Sequence, residues 1–89
     1  MQQTHIHFRG MVQGVGFRYT AQSYARQLNV CGWVKNLPDG SVEVIAQGGQ
    51  NDIEELCKAL KSHFGGYIRD IDQTLEDAFE EFSSFQIRF

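Results

Sequence analysis

Polar and apolar residues alternate over residues 4–12, Thr-His-Ile-His-Phe-Arg-Gly-Met-Val. Ile6, Phe8 and Gly10 share one face; His5, His7 and Arg9 share the other. A period of two predicts a half-buried strand. Gln13-Gly14-Val15-Gly16 interrupts the pattern and reads as a loop. From Phe17 the period changes. Phe17, Ala21, Ala25 and Leu28 recur at helical spacing, with Tyr24 beside them, which predicts an amphipathic helix to about Asn29. Gly32 to Asn36 reads as a short strand, and Leu37-Pro38-Asp39-Gly40 as a turn, because proline presets φ and glycine accepts positive φ. Ser41 to Gln47 alternates again, with Val42, Val44 and Ala46 on one face, so the two runs form a hairpin.

Gly48-Gly49-Gln50 ends the hairpin. Asn51 is the expected cap of a second helix, with Glu54 three residues on at capping-box spacing. Ile53, Leu56, Cys57, Leu60 and Phe64 form its apolar stripe, and Gly65-Gly66 stops it. Tyr67 to Leu75 is expected as a strand of weaker pattern, and Glu76 to Glu81 as a solvated acidic connection. Phe85, Ile87 and Phe89 alternate with Gln86 and Arg88 in a last strand. The order is βαββαβ with an extra strand near the end. Two amphipathic helices must then cover one face of a mostly antiparallel sheet. That is an α+β, ferredoxin-like sandwich, with residues 1–89 expected as one domain. The plan serves many unrelated functions, so function has to come from a site.

Composition narrows the field. The chain is 42% hydrophobic and 21% charged, as expected of a globular protein. A net charge of −3 gives no basic excess for duplex binding or for attraction to an anionic membrane, so no nucleic-acid or membrane partner is expected. No apolar run is long enough to span a bilayer, and Met1-Gln2-Gln3-Thr4-His5 lacks the features of a signal peptide. Cys31 and Cys57 are too few for a disulfide framework and have no C-x-x-C spacing, so free thiols in a reducing cytoplasm are expected.

The candidate chemistry lies in Gly10-Met11-Val12-Gln13-Gly14-Val15-Gly16-Phe17-Arg18. Here a strand gives way to a glycine-rich loop and then to a helix. Successive loop amides form an anion-binding concavity, and the helix N-terminus adds positive character. Arg18 in the first turn opposes the helix dipole, a conflict that a bound anion resolves. The loop is neither a dinucleotide fingerprint, since Tyr19 stands at the third glycine position, nor a P-loop, since G-K-[ST] is missing. From the loop alone, an ordinary tight turn with a surface arginine explains the residues equally well.

A second stretch changes that balance. Val12-Gln13-Gly14-Val15-Gly16-Phe17-Arg18 and Gly32-Trp33-Val34-Lys35-Asn36-Leu37-Pro38-Asp39-Gly40-Ser41-Val42-Glu43 closely resemble the two signature motifs of the acylphosphatase family, at the right separation. The resemblance extends to the closing Ile87-Arg88-Phe89. It implies hydrolysis of carboxyl-phosphate anhydrides to a carboxylate and inorganic phosphate, with no metal and no cofactor. It implies that Arg18 binds phosphate, that Asn36 orients the attacking water, and that the backbone of Gln13, Gly14, Val15, Gly16, Phe17 and Arg18 cradles the phosphoryl group. A small acyl phosphate is the implied substrate, inorganic phosphate the product and competitive ligand, and a monomer the expected state. One departure stands out: Gly65-Gly66-Tyr67-Ile68-Arg69-Asp70-Ile71 replaces the family's Gly-Pro pair and Ala-x-Val strand.

The chemistry suits these residues. A carboxylate leaving group has a pKa of about 4 and needs little acid assistance. Phosphoryl transfer then rests on positioning and charge stabilisation. Asn36 can accept from a water but cannot act as a strong base. His5 and His7 are expected on a solvated sheet face, His63 as a favourable cation at a helix end, Trp33 in sheet packing and Asp39 in its turn. Two rivals stay open: a module that holds a phosphate-bearing metabolite without turnover, like the related domain inside hydrogenase-maturation proteins, and a nucleic-acid-binding ferredoxin-like domain. Asn36 argues against the first, as does a chain of 89 residues; the net charge argues against the second.

Overall fold

The computed structural model describes Met1–Phe89. Five strands and two helices follow in the order β1 (Gln2–Gly10), α1 (Phe17–Gln27), β2 (Cys31–Asn36), β3 (Val42–Gln47), α2 (Gln50–Phe64), β4 (Ile68–Asp77) and β5 (Phe85–Arg88). A single 3₁₀ turn, Gly65–Tyr67, links α2 to β4. The sheet order is β4-β1-β3-β2-β5. Every pairing is antiparallel except β2 with β5.

Alternation along the strands sorts the two faces. Ile6 and Phe8 of β1, Val34 of β2, Val42, Val44 and Ala46 of β3, and Phe85 of β5 are buried beneath the helices. The helices close over them with Phe17, Ala21 and Ala25 from α1 and with Ile53, Leu56, Cys57, Leu60 and Phe64 from α2. Both predicted stripes are the buried ones, except that Leu28 is half-buried and lies just past the end of α1. Three rings knit the layers together: Phe17 lies 4.9 Å from Phe8 and 4.8 Å from Phe64, centroid to centroid.

The other face carries charge and half-buried polar groups. His5 pairs with Glu43 at 2.7 Å, His7 Nε2 meets Ser41 Oγ at 2.6 Å, and Arg9 bridges Asp70 and Asp72. Trp33 belongs to this face, with the Arg88 guanidinium over its ring, 4.8 Å from carbon to centroid. No helix is long and apolar enough to cross a membrane.

Several boundaries differ from the pattern-based expectation. β1 runs over Gln2–Gly10 rather than 4–12, because Gly10 breaks its register. Arg9 faces Asp70 while Gly10 faces Ile68, so Arg69 is an extra residue on β4. A Cβ on Gly10 would sit 2.2 Å from the Tyr67 carbonyl oxygen, which is why glycine stands there. Helix α1 ends at Gln27, and Asn29 takes the left-handed conformation, φ 58°, that reverses the chain. Asn51 does not cap α2. The cap is Gly49, whose carbonyl accepts the Ile53 amide at 3.0 Å, so the helix starts a residue before Asn51. Glu76, expected in the acidic connection, belongs to β4. It faces Gln3 in the ladder and accepts from Gln3 Nε2 at 2.7 Å.

The Cys57 thiol supplies a test of this core. Burial pushes its pKa up from the usual value near 9 to about 11. The folded value lies above the unfolded one, so the thiol's contribution to stability holds below pH 9 and is lost as pH rises toward 11. The fold should lose stability over that interval, and less of it in Cys57→Ala; parallel pH profiles would contradict the assignment. At pH 8 a thiol-reactive disulfide should label half-buried Cys31 and spare Cys57 until denaturant is added.

Candidate active site

The loop from β1 to α1 is shaped by Gly14 and Gly16, both at positive φ, 77° and 79°. Gly16 is the N-cap of α1 and has no side chain to cap with; no acidic residue stands in the first turn. Its carbonyl accepts the Thr20 amide at 3.1 Å. The amides from Gln13 to Tyr19 donate to no group of the protein. A run of free donors at a helix N-terminus favours an anion.

Arg18 projects from this same turn and is half-buried. It forms no ion pair, and its guanidinium carbon lies 4.8 Å from the Phe89 ring centroid. Asn36, the last residue of β2, stands opposite Val42. Its Oδ1 is the one buried side-chain polar atom with no hydrogen-bond partner. Gly14, Gly16, Arg18 and Asn36 surround one cleft of about 190 Å³, together with Val12, Phe17 and Tyr19. No carboxylate, imidazole or thiol lines it. Larger clefts of about 260 and 280 Å³ lie between α2 and β4 along Lys61 and Ile71, without a matching run of free amides.

The chain brings the two motifs together through Gln13. Its Nε2 donates to the carbonyl oxygens of Leu37 and Ser41, each at 2.8 Å, and so clamps the loop to the β2–β3 turn. That turn is closed by Leu37 N–H to Ser41 O at 2.9 Å and by Asp39 Oδ1, which accepts the Ser41 amide at 3.0 Å. The Ser41 hydroxyl and amide hold the Asp39 carboxyl below the usual carboxylate range. Of the expected cradle residues, Gly14, Gly16, Phe17 and Arg18 line the cleft; Gln13 and Val15 do not. Val15 is 37% exposed, and the Phe17 ring is buried in the core. Val12 and Tyr19 were missed as cleft residues. Tyr19 had a signal, an aromatic beside Arg18 off the apolar stripe of α1.

The class of protein defined here is a ferredoxin-like sandwich that carries, around one cleft, a free-amide loop, an arginine outside any ion pair and an asparagine acceptor without a partner. Residues 4–87 match the family model described as Acylphosphatase. A relative named Acylphosphatase from Lactobacillus gasseri is 40% identical over 90 residues, covering 98% of each chain. The crystal structure of acylphosphatase from Bacillus subtilis superposes with a TM-score of 0.90 at 38% identity, covering 100% of both chains. A crystal structure of full-length HypF in the phosphate- and nucleotide-bound form matches 99% of this chain with 12% of its own, at 29% identity and a TM-score of 0.89. This chain belongs to the acylphosphatase family. It is an enzyme, and its reaction is hydrolysis of acyl phosphates.

The Gln13 clamp yields a stability prediction. Gln13→Ala removes two hydrogen bonds to backbone carbonyls and should cost about 1–3 kcal/mol, read from the urea midpoint. Gln13→Glu should cost more at neutral pH, because a carboxylate would face two carbonyl oxygens. Wild-type midpoints for both variants would show that the clamp does not hold the turn.

Proposed function

We propose that Arg18 and the loop amides from Gln13 to Arg18 hold the phosphoryl group while Asn36 orients the attacking water. The observation that carries this reading is the buried Oδ1 of Asn36, unpaired at the wall of the cleft that Arg18 and the loop share. An unpaired buried acceptor costs about 1–3 kcal/mol, and a water donating to it from the cleft recovers that cost. The same hydrogen bond fixes where the water stands.

The steps follow from charge and geometry. The phosphoryl oxygens accept from the free amides and from the guanidinium, which also ends the conflict between Arg18 and the helix dipole. Water attacks phosphorus, the bond from phosphorus to the carboxyl oxygen breaks, and the carboxylate leaves with the electron pair. Developing charge stays on oxygens already held by fixed donors. No carboxylate, imidazole or thiol lines the cleft to take a proton, and the Arg18 guanidinium is already protonated, so the water's proton passes to a substrate oxygen or to bulk water. We read the reaction as metal-independent because the permanent charge of Arg18 and the free loop amides supply the stabilisation of phosphoryl oxygens that a metal ion would otherwise give. Inorganic phosphate is the product and a competitive ligand of the same loop, and one chain supplies the whole site as a monomer.

Turnover of acetyl phosphate should persist in EDTA; full loss on chelation, restored by a divalent ion, would overturn the metal-free reading. Asn36→Ala should lower kcat roughly 100–1,000-fold, the range for one well-placed polar group in a transition state. Its inhibition by phosphate should stay near wild type, since the loop and Arg18 supply that binding. Normal turnover by this variant would remove Asn36 from the reaction. Arg18→Lys keeps the charge and loses the planar fork, so both phosphate affinity and kcat/KM should fall.

A further inference from the structure

His7 lies outside the cleft, on the charged face of the sheet, yet its bonds lead to the turn that follows Asn36. In the ladder it stands opposite Glu43 of β3 and Asp72 of β4. Neither carboxylate bonds its ring: Glu43 pairs with His5, and Asp72 with Arg9. The ring meets two other groups instead. Nε2 lies 2.6 Å from Ser41 Oγ, and Nδ1 lies 2.9 Å from Arg9 Nη2. Ser41 Oγ in turn donates to Asp39 Oδ1, which also accepts the Ser41 amide.

Both ends of this chain have a fixed polarity. A guanidinium only donates and keeps its charge, so Arg9 Nη2 is the donor and Nδ1 of His7 the acceptor. Asp70 and Asp72 hold Nη1 of the same guanidinium and leave Nη2 to the ring. At the other end an ionised carboxylate only accepts, so the Ser41 hydroxyl spends its one proton on Asp39. Ser41 Oγ is then an acceptor toward Nε2–H of His7. The two ends agree on one form of the ring, the neutral imidazole with its proton on Nε2. His5, two residues earlier, has different surroundings, with Glu43 2.7 Å from Nε2 and Glu76 3.8 Å from Nδ1.

We propose that His7 is a positioning residue for the reaction: held as the Nε2–H tautomer by Arg9, it keeps the Ser41 hydroxyl on Asp39 and so steadies the β2–β3 turn that places Asn36. This rests on the reading of Asn36 as the group that orients the water. Leu37, the residue after Asn36, donates its amide to Ser41 O at 2.9 Å, so a shift of Ser41 passes directly to Asn36. A displacement of about 1 Å in a positioning group can cost roughly 100-fold in rate.

The test joins NMR and kinetics on the full chain. At pH 8, long-range ¹H–¹⁵N spectra should show His7 with a proton on Nε2 and none on Nδ1; a proton on Nδ1 would overturn the relay. Arg9→Met should let the Nδ1–H tautomer appear, and an unchanged ring spectrum would overturn the part given to Arg9. His7→Leu should lower kcat for acetyl phosphate about tenfold, with inhibition by phosphate near wild type. His7→Gln, whose amide nitrogen can stand in for Nε2–H, should recover most of that loss. No recovery, or a parallel loss of phosphate affinity in His7→Leu, would overturn the positioning role. Normal kcat in His7→Leu beside a slow Asn36→Ala would overturn this proposal and leave the reading of Asn36 standing. Normal kcat in Asn36→Ala would overturn that reading, and this proposal with it.

Discussion

The packing of Phe17 between Phe8 and Phe64 governs where α1 begins, and the cleft depends on that point. Phe17 is the first residue of the helix and is almost fully buried. It ties the start of α1 to Phe8, near the end of β1, and to the last turn of α2. With that residue fixed, the loop before it has little freedom. Gly14 and Gly16 turn the chain, the amides from Gln13 to Tyr19 are left without acceptors, and Arg18 emerges at the mouth of the loop. The core thus sets the position of the donors, and the absence of a capping side chain keeps them free.

The second half of the cleft comes from another hairpin, and one side chain joins the halves. Gln13 spends both N–H groups of its amide on the carbonyls of Leu37 and Ser41. Asn36 is the residue just before that turn. A polar group meant to meet a small substrate has to be held within a fraction of an ångström. Here the clamp, the Asp39–Ser41 bonds and the ladder to β3 all act on the few residues around Asn36. Ser41 extends the network across the sheet, since its hydroxyl meets His7 on the charged face. The histidines of β1 therefore support the scaffold around the turn and take no place in the cleft.

The cleft also keeps groups that cost stability. Arg18 beside a helix N-terminus, a buried Asn36 oxygen without a donor, and uncapped helix amides are each unfavourable in isolation. They lie within one small volume. Elsewhere the molecule pairs its polar groups, as with Arg9 between Asp70 and Asp72, His5 with Glu43, and Gln47 with the backbone of the Phe82 segment. The contrast separates the cleft from the rest of the surface more clearly than its size does. In the reading proposed above, an oxyanion and a water answer all three deficits at once.

Much of this was legible in the chain because it depends on neighbours. Both helical stripes, the alternation of β1 to β3, the ferredoxin-like order and the loop glycines follow from periodicity and backbone chemistry within a few residues. Arg18 and Asn36 were legible as site candidates through the two motifs. Other features depended on partners far along the chain. The start of α2 at Gln50 instead of after Asn51 follows from where β3 releases the chain at Gly48 and Gly49. The inclusion of Glu76 in β4 follows from β1 reaching back to Gln2. Gln13 meets its carbonyls across 24 and 28 residues, and Phe89 reaches Arg18 only because β5 lies parallel to β2. Local patterning by itself determined which elements form and which loop is rich in free amides. Only tertiary packing decided which distant side chains meet at its mouth, because those contacts depend on strand register and on the closing of the core.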